Sequence, residues 1–508
     1  MVASNQTLNF DVVGGSNQQL IPAYDSQQTV NMFVFIDPVQ KNKALYPMPG
    51  SKLVVTADVG GNPFHGRQGG AIAIQTEAYF IIGNAVFLMN TAEALTQIGT
   101  IGTSTGNVSM CITGQYLVIV DGSSSGWYYD ISTTTFTPIT DTDAPASPNN
   151  VCEQQGFTLF NDTVAFQTSY QAAQYEPFKF DPLNTIQINY QSSIYSYPLI
   201  GQYSVNGRIF AITTGFGEVL EDSGKAGYFF RPDTSLTFVY GCPNQALIAK
   251  GIGALKGETQ PEFLMFICDT NGVRKAMMTH GEPPKVISTP AIEYRLSKVK
   301  NLTKCSSFFF ADQGNLFWQI NFRGENDNFT LVYCISSDSW CDLSYNGGAH
   351  FAESLVNFNG KNYVTSYFDS GIYDYNLLYF SNSGTPIFRR RITQNIRVSG
   401  YRKFTVRLAW LYAQQGSAPV GESITNTKNY VYGARGEISI AMSTDGGQTF
   451  EEPQLVSLGK SGEYTYVSKL ENFGTTRDCC FLIECYEPIN NFCIMGLMID
   501  VNVMEGTA

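Results

Sequence analysis

The stretch Tyr116-Leu117-Val118-Ile119-Val120-Asp121-Gly122, followed by Trp127-Tyr128-Tyr129-Asp130, decides the fold. Its apolar half has the length and composition of a short strand. Asp-Gly tolerates the positive φ angles of a tight turn, and the aromatic run that follows is β-prone. Working outward, the same kind of run recurs at Ala78-Tyr79-Phe80-Ile81-Ile82, Arg208-Ile209-Phe210-Ala211-Ile212, Phe263-Leu264-Met265-Phe266-Ile267, Asn315-Leu316-Phe317-Trp318-Gln319-Ile320 and Asn362-Tyr363-Val364-Thr365. Turn signals sit between the runs at Asn206-Gly207, Asn271-Gly272, Asn346-Gly347, Asn359-Gly360 and Asp445-Gly446, and Gly371-Ile372-Tyr373-Asp374-Tyr375 repeats the aromatic strand. Helical periodicity is nearly absent; residues 91–97 read as one short helical turn.

Short strands of common shape, repeated without a WD or kelch signature, predict an irregular β-propeller of about six blades between residues 61 and 385. A β-sandwich is the competing architecture for the same pattern. Beyond 385 the composition shifts. Residues 388–407 carry Arg389, Arg390, Arg391, Arg397, Arg402, Lys403 and Arg407 with no acidic residue. Strict alternation then puts Phe404, Val406, Leu408, Trp410 and Tyr412 on one strand face. A polar loop spans 413–430. Ile438, Ile440 and Met442 share a face further on, as do Leu497, Ile499, Val501 and Val503. The expected fold is therefore all-β, in three parts. Residues 1–60 form an extended N-terminal arm contributing to the platform, 61–395 the propeller-like domain with insertions, and 396–508 a C-terminal antiparallel β-sheet or sandwich.

Composition narrows the function. Charged residues make up 15% of the chain, well under the usual quarter, while aromatics make up 13%. Such a balance suits sheets and subunit interfaces. The net charge of −12 argues against a protein that grips nucleic acid, which needs a basic footprint. The eleven cysteines form no C-x-x-C pair, and the N-terminus lacks the basic-then-apolar pattern of a signal peptide. Reduced, buried thiols in a protein made in a cytoplasm are expected, although Cys334 and Cys341 lie close enough in sequence to bridge. No apolar run reaches the length of a membrane helix.

Chemistry is sparse. His65, His280 and His350 stand far apart and in no ligand-spaced motif, so no metal is expected. There is no nucleophile elbow and no phosphate loop, and the Gly60-Gly61 and Gly69-Gly70 cluster reads as turns. One motif stands out: Ser443-Thr444-Asp445-Gly446-Gly447-Gln448-Thr449-Phe450 fits the Asp-box pattern S-x-D-x-G-x-T-(W/F). Ser443, Asp445, Gly447, Thr449 and Phe450 would make a self-bonded hairpin rather than a catalytic site. A single box leaves a sialidase-like propeller glycosidase, or a glycan- or receptor-binding protein, as alternatives. The basic run is either a solvated strand edge or a patch for an acidic partner or DNA phosphates.

Several short motifs, in order along the chain, carry a resemblance. Val30-Asn31-Met32 followed by Tyr46-Pro47-Met48-Pro49-Gly50 is similar to a "VNM … (F/Y)PG" opening. His65-Gly66-Arg67-Gln68-Gly69-Gly70, Ala78-Tyr79-Phe80 and Gly83-Asn84-Ala85-Val86-Phe87 are similar to a first blade, and Gly106-Asn107-Val108-Ser109-Met110 to the "GRVSM" strand after it. Pro243-Asn244-Gln245 with Ala249-Lys250-Gly251-Ile252 is similar to a turn into a "KGI" strand, and Ser443-Thr444-Asp445-Gly446 to a C-terminal hairpin. Together they resemble the packaged-DNA stabilisation proteins, or tail hub and nozzle proteins, of short-tailed phages; 150–235 and 280–380 depart from the pattern. The resemblance implies a virion tail protein without catalytic residues or cofactor, forming a hexameric ring below the portal and adaptor. Such a ring would close the DNA channel and hold tail fibres, spikes or a needle. The arm and the basic residues are then the expected assembly contacts, and DNA would pass an acidic lumen without tight binding.

Overall fold

The computed structural model describes all residues except 1–3, 23, 59–63, 189–196, 226–227, 234, 254–260, 271, 417–419, 423–427, 431–434, 488, 490–491 and 505–508. Asn271, Gly60-Gly61 and much of the polar loop at 413–430 thus lie outside the described residues.

Each apolar run of the sequence is the second strand of a four-stranded blade. In blade 2 it is Tyr116–Val120, between Ser109–Thr113 and Trp127–Asp130, with Thr135–Pro138 outermost. These strands are apolar throughout because a neighbouring blade covers each face: Leu117, Val118, Ile119 and Val120 are all fully buried. The blades number seven among the described residues, not six. Their innermost strands, in ring order, are Gly66–Ala73, Ser109–Thr113, Val151–Gln154, Leu199–Val205, Ile248–Ile252, Cys305–Asp312 and Ala352–Phe358. The additional one is blade 3, whose second strand Phe157–Asn161 mixes Thr158 and Asn161 with its apolar residues. Both polar side chains are buried and bonded, Thr158 to Thr113 at 2.7 Å and Asn161 to the backbone of Asn150 at 2.9 Å. Several inner turns follow the Asn-Gly logic, with positive φ at Asn206 and Gly207 and at Asn359 and Gly360.

The ring is closed by the N-terminal part of the chain. Gly50–Thr56 pairs antiparallel with Gly371–Asn376 as the fourth strand of blade 7, after Ala352–Phe358 and Lys361–Ser366, and the short strands Ser381–Asn382 and Thr385–Pro386 extend the sheet beyond it. Chain ends about 300 residues apart thus share one blade, and the sheet edges are covered as in closed β architectures.

The C-terminal part is a two-layer sandwich. One layer holds Phe404–Ala413 between Ser468–Thr476 and Ile494–Val503. Ser4–Phe10 pairs along Ile494–Val503, and the hairpin Met32–Ile36 with Lys43–Pro47 joins the same layer. The other layer holds Arg389–Ile392, Asp478–Cys485, Arg435–Ser443 and Gln454–Lys460. Phe404, Val406, Leu411, Ile440, Phe481, Leu497, Ile499, Val501 and Val503 fill the space between them, with Phe10, Val12, Met32 and Val34 from the N-terminus. Ser26–Val30 pairs on one side with Arg389–Ile392 and on the other with Ser339–Leu343 of blade 6. The second layer is therefore continuous with a propeller blade.

Three expectations are corrected. The N-terminal 60 residues do run extended, but they pair strand by strand within their own chain. A β-bulge between Val406 and Leu408 breaks the predicted alternation. Phe404 and Val406 face the core, whereas Leu408, Trp410 and Tyr412 face outward, because an extra residue inverts side-chain direction beyond it. No helix forms at 91–97, where Leu95–Thr100 is the outer strand of blade 1. The α-helix among the described residues is Pro290–Lys298, started by Thr289, whose hydroxyl caps Ile292, and by Pro290 in the first turn.

Candidate functional site

The basic run is mostly spent inside the chain. Arg389 and Arg391 are fully buried. Alternation sends both inward, Arg391 toward the N-terminal segment and Arg389 toward Glu487 and Phe492, and Arg390 outward. Arg391 donates to the carbonyls of Val12 (2.7 Å) and Gly15 (3.0 Å), to the Thr29 hydroxyl (2.9 Å) and to the Gln27 amide oxygen (2.5 Å). Burial lowers its pKa to about 10. Arg389 donates to the carbonyl of Glu487 at 3.3 Å and lies over the Phe492 ring. Arg390 pairs with Glu484 (2.7 Å), Arg397 with Asp478 (2.7 Å) and Arg407 with Asp500 (3.4 Å). Of the seven, Arg389, Arg391, Arg402 and Lys403 have no carboxylate partner among the described residues, and of these Arg402 and Lys403 are the two that are not buried. The expectation of seven assembly contacts is thus corrected for Arg389 and Arg391, which act as internal clamps.

Ser443, Asp445, Gly447, Thr449 and Phe450 form the self-bonded hairpin expected of them. The Asp445 carboxylate accepts from the Ser443 hydroxyl (2.7 Å), the Gln448 amide (2.9 Å) and both the amide (3.0 Å) and hydroxyl (2.6 Å) of Thr449. These donors hold its pKa far below the ordinary carboxylate range. Gly447 takes φ +84°, and a Cβ there would meet the Ser26 hydroxyl at 2.5 Å. The Ser443 hydroxyl receives the Gly447 amide at 2.9 Å, while Phe450 is half-buried. All of these bonds to the carboxylate come from within the turn, so Asp445 acts on its own loop.

The outward face of the sandwich carries a short apolar row with charged cross-strand neighbours: Leu408 lies between Glu471 and Asp500, and Trp410 between Lys469 and Met498. Trp410 lies opposite Met498 in register and Tyr412 opposite Gly496, with Leu408 one step along and Met495 beside them. Tyr412 is 47% and Met495 49% exposed. The flanks carry Lys469 bonded to Glu471 (2.7 Å) and Arg407 paired with Asp500. The sequence pattern puts Leu408, Trp410 and Tyr412 on the same strand face as Phe404 and Val406, for want of a signal marking the bulge.

The seven inner strands enclose a funnel of about 560 Å³. Cross-ring amide contacts link its blades. Gln68 donates to the carbonyl of Ser307 (2.9 Å), Asn107 to the side chain of Asn244 (3.0 Å), and Asn244 to the carbonyl of Leu302 (2.7 Å). The wall includes Glu153, Ser204 and Lys250. Lys250 is bridged to Glu262 at 2.6 Å. Arg67 points away from the funnel into a cage of carbonyls from Gly83, Thr103, Thr105 and Gly106.

His350 is buried against Phe351 and Tyr375, with ring centroids 4.4 and 5.6 Å away. Burial, with Arg323 nearby, lowers its pKa to about 3, so it stays neutral. His65 stacks on Tyr367 at 5.7 Å. No group of His, Cys, Asp and Glu fit for a metal occurs among the described residues. All eleven cysteines are free, including Cys334 and Cys341. Burial raises the thiols, Cys152 to about 12 and Cys493 to about 11, which makes them poor nucleophiles. No described helix is long and apolar enough to cross a membrane.

Among solved structures, the chain is similar to selenomethionine-substituted virginiamycin B lyase from Staphylococcus aureus, at 10% identity and TM-score 0.40 over 63% of this chain and 97% of that one. It is also similar to a chain of a mitotic checkpoint complex (8%, 0.36, 63% and 96%) and to the computationally designed Ika8 protein (6%, 0.37, 64% and 99%). Likenesses this weak carry no argument about what the chain does. No curated protein matches. The family model described as "Bacteriophage P22 Gp10, beta-propeller" matches residues 8–306. That span is more than half of the chain and takes in the N-terminal clamp, the ring-closing strand and the first five blades, so the chain belongs to this family of phage structural proteins.

Proposed function

We propose that this chain is the subunit of a tail hub, or nozzle, of a short-tailed phage. About six copies would form a closed ring below the portal and adaptor. That ring would extend and close the DNA channel after packaging and carry fibres, spikes or a needle. Synthesis is in the host cytoplasm and the working place is the virion tail. The protein does no chemistry of its own.

The observation that carries this reading is the outward row Leu408, Trp410, Tyr412, Met495 and Met498 on the sandwich. Exposed aromatic and methionine side chains are what subunit interfaces present. The small volume of the central cavity, about 560 Å³, supports it as well, since a DNA conduit would then lie between copies rather than through one propeller. A net charge of −12 suits a wall that phosphates slide past. In this arrangement the sandwich, with Ser4–Phe10 and the hairpin Met32–Ile36 with Lys43–Pro47, makes the platform, and the seven blades project from it.

Light scattering and negative-stain imaging of the purified chain, alone and with its virion's portal–adaptor complex, test the reading. A ring, formed alone or on that complex, is the expected result. A monomer that ignores the complex overturns it.

A further inference from the structure

A cleft of about 720 Å³ opens where the chain passes from blade 6 to blade 7. Its walls come from the turn 345–349 between the two blades, the turn 366–369 inside blade 7, and the hairpin of Ser381–Asn382 with Thr385–Pro386. Four aromatic side chains line it: Phe351 is buried, Tyr345 and Tyr373 are half-buried, and Phe368 is 51% exposed. The rings of Phe368 and Tyr345 stack with centroids 5.9 Å apart. Both are held in place by their own turns. The Ser366 hydroxyl accepts the N–H groups of Phe368 (3.1 Å) and Asp369 (3.3 Å), and Tyr345 and Gly348 exchange main-chain hydrogen bonds at 3.2 and 3.0 Å. An aromatic face is thus preformed and open to solvent.

The polar groups around that face are accessible and uncommitted. Asn346, at φ +49°, and Thr385 are exposed, and neither side chain bonds to another described residue. Exposed Asn328 spends its Oδ1 on the Ala349 N–H at 3.0 Å and keeps its amide nitrogen to donate. The exposed Ser383 hydroxyl accepts the Leu53 N–H at 3.0 Å and keeps its proton. Donors and acceptors therefore stand side by side at the edge of the rings. The rest of the lining rules out other ligand classes. Among the described residues it contains no Lys, Arg or His, so an anion finds no counter-charge. Its one carboxylate, Asp369, accepts from the Gly371 N–H (2.8 Å) and the Tyr373 hydroxyl (2.9 Å) and so serves its own turn. Its aliphatic wall is Ala349 alone, too little to seat a lipid chain or a leucine-type anchor. What fits is a neutral molecule with a C–H face to lie on Phe368 and hydroxyls that both donate and accept at its edge. We propose that this cleft binds a neutral sugar, either free or as a residue of a glycan. The hub reading is not needed for this; one may fail while the other stands.

The test is saturation-transfer NMR of the full chain. Probes are methyl α-D-glucopyranoside, methyl β-D-galactopyranoside and N-acetyl-D-glucosamine, each beside its oligosaccharide (maltotriose, lactose and N,N′-diacetylchitobiose) to separate free sugar from glycan. Saturable binding of at least one probe, with Kd at or below about 10 mM, is expected. Phe368→Ala should weaken it roughly tenfold, and Phe368→Tyr, which keeps the aromatic face, should restore it. Asn346→Gly, which keeps the left-handed turn and removes the amide, should weaken it several-fold. Both positions are exposed, so the melting temperature should hold in all three variants. Because a proline-rich peptide also docks on aromatic grooves, one serves as a control, as does 3′-sialyllactose for charge. No saturable signal from any neutral probe, binding of the peptide alone, tighter binding of 3′-sialyllactose than of lactose, or an affinity unchanged in Phe368→Ala overturns the proposal.

Discussion

The side chain of Asn31 pairs with the main chain of Ser344 as a neighbouring strand would, accepting its N–H at 2.8 Å and donating to its C=O at 3.1 Å. The same amide nitrogen donates to the Phe388 carbonyl at 2.6 Å. Asn31 sits at φ +56°, between Ser26–Val30 and Met32–Ile36. One residue thus ties together the N-terminal segment, the exit from blade 6 and the entry into the sandwich. Asparagine fits because it tolerates the left-handed region and offers donor and acceptor together. Asn31→Ala should cost about 3 kcal/mol, from strain and from orphaned main-chain groups. Asn31→Gly relieves the strain alone and should recover about 1 kcal/mol of that. Chemical denaturation of the three proteins measures both, and equal stability of Ala and wild type would refute the assignment.

Arg391 makes a second prediction about the same joint. Its guanidinium is buried, charged and surrounded by neutral oxygens from Val12, Gly15, Gln27 and Thr29. Arg391→Met removes the charge and leaves four acceptors unpaired, at a cost of about 3–5 kcal/mol. The loss should be local first: residues 4–36 should become accessible to limited proteolysis while the blades stay resistant. Removing residues 1–40 outright should go further, because Phe10, Val12, Val13, Met32 and Val34 belong to the sandwich core. A truncated chain with an intact sandwich melt would show that the N-terminal strands are dispensable.

His350 gives the chain a pH-dependent stability. Its pKa falls from 6.5 to about 3 in the fold. The unfolded chain therefore binds the proton more readily, and stability rises with pH across this interval. The contribution is complete above about 6.5 and is lost as pH falls toward 3, on the order of 4 kcal/mol in all. Glu353, whose carboxyl is pushed up by burial against the pull of Arg323, slopes the other way. His350→Gln isolates the first effect and should flatten the loss between pH 6.5 and 4. Urea midpoints across that range give the answer, and identical slopes in both proteins would remove His350 from the account.

The seven blades were nearly legible because six of them announce a buried second strand as an uninterrupted apolar run. Blade 3 stayed hidden because Thr158 and Asn161 are buried through side-chain hydrogen bonds, which hydropathy does not register. The ring-closing strand Gly50–Thr56 carries no local mark, since its partner lies some 320 residues onward. Of the site residues, the Asp445 hairpin was readable from its own loop because every one of its bonds is local. The arginines were not. Whether Arg391 meets solvent or Val12 is set by long-range pairing, and composition alone turned a set of internal clamps into an apparent patch.

The outward sandwich face yields the remaining prediction. Trp410 and Tyr412 lie beyond the bulge, so they contribute little to the core that Phe404 and Val406 fill. Replacing both with glutamate, at positions already half-exposed or exposed, should change stability by less than about 1 kcal/mol. The same change places two like charges in the middle of the apolar row and should weaken any contact made through it by at least roughly a hundredfold, since buried aromatic anchors dominate interface energy and an unpaired buried carboxylate opposes docking. The double variant is therefore expected to melt like the wild type yet remain monomeric by light scattering and fail to seat on the portal–adaptor complex. An Arg402→Glu, Lys403→Glu variant separates the apolar face from the remaining unpaired basic residues. If that variant loses assembly and the Trp410, Tyr412 variant keeps it, the contact runs through the basic strand and the apolar face serves some other partner.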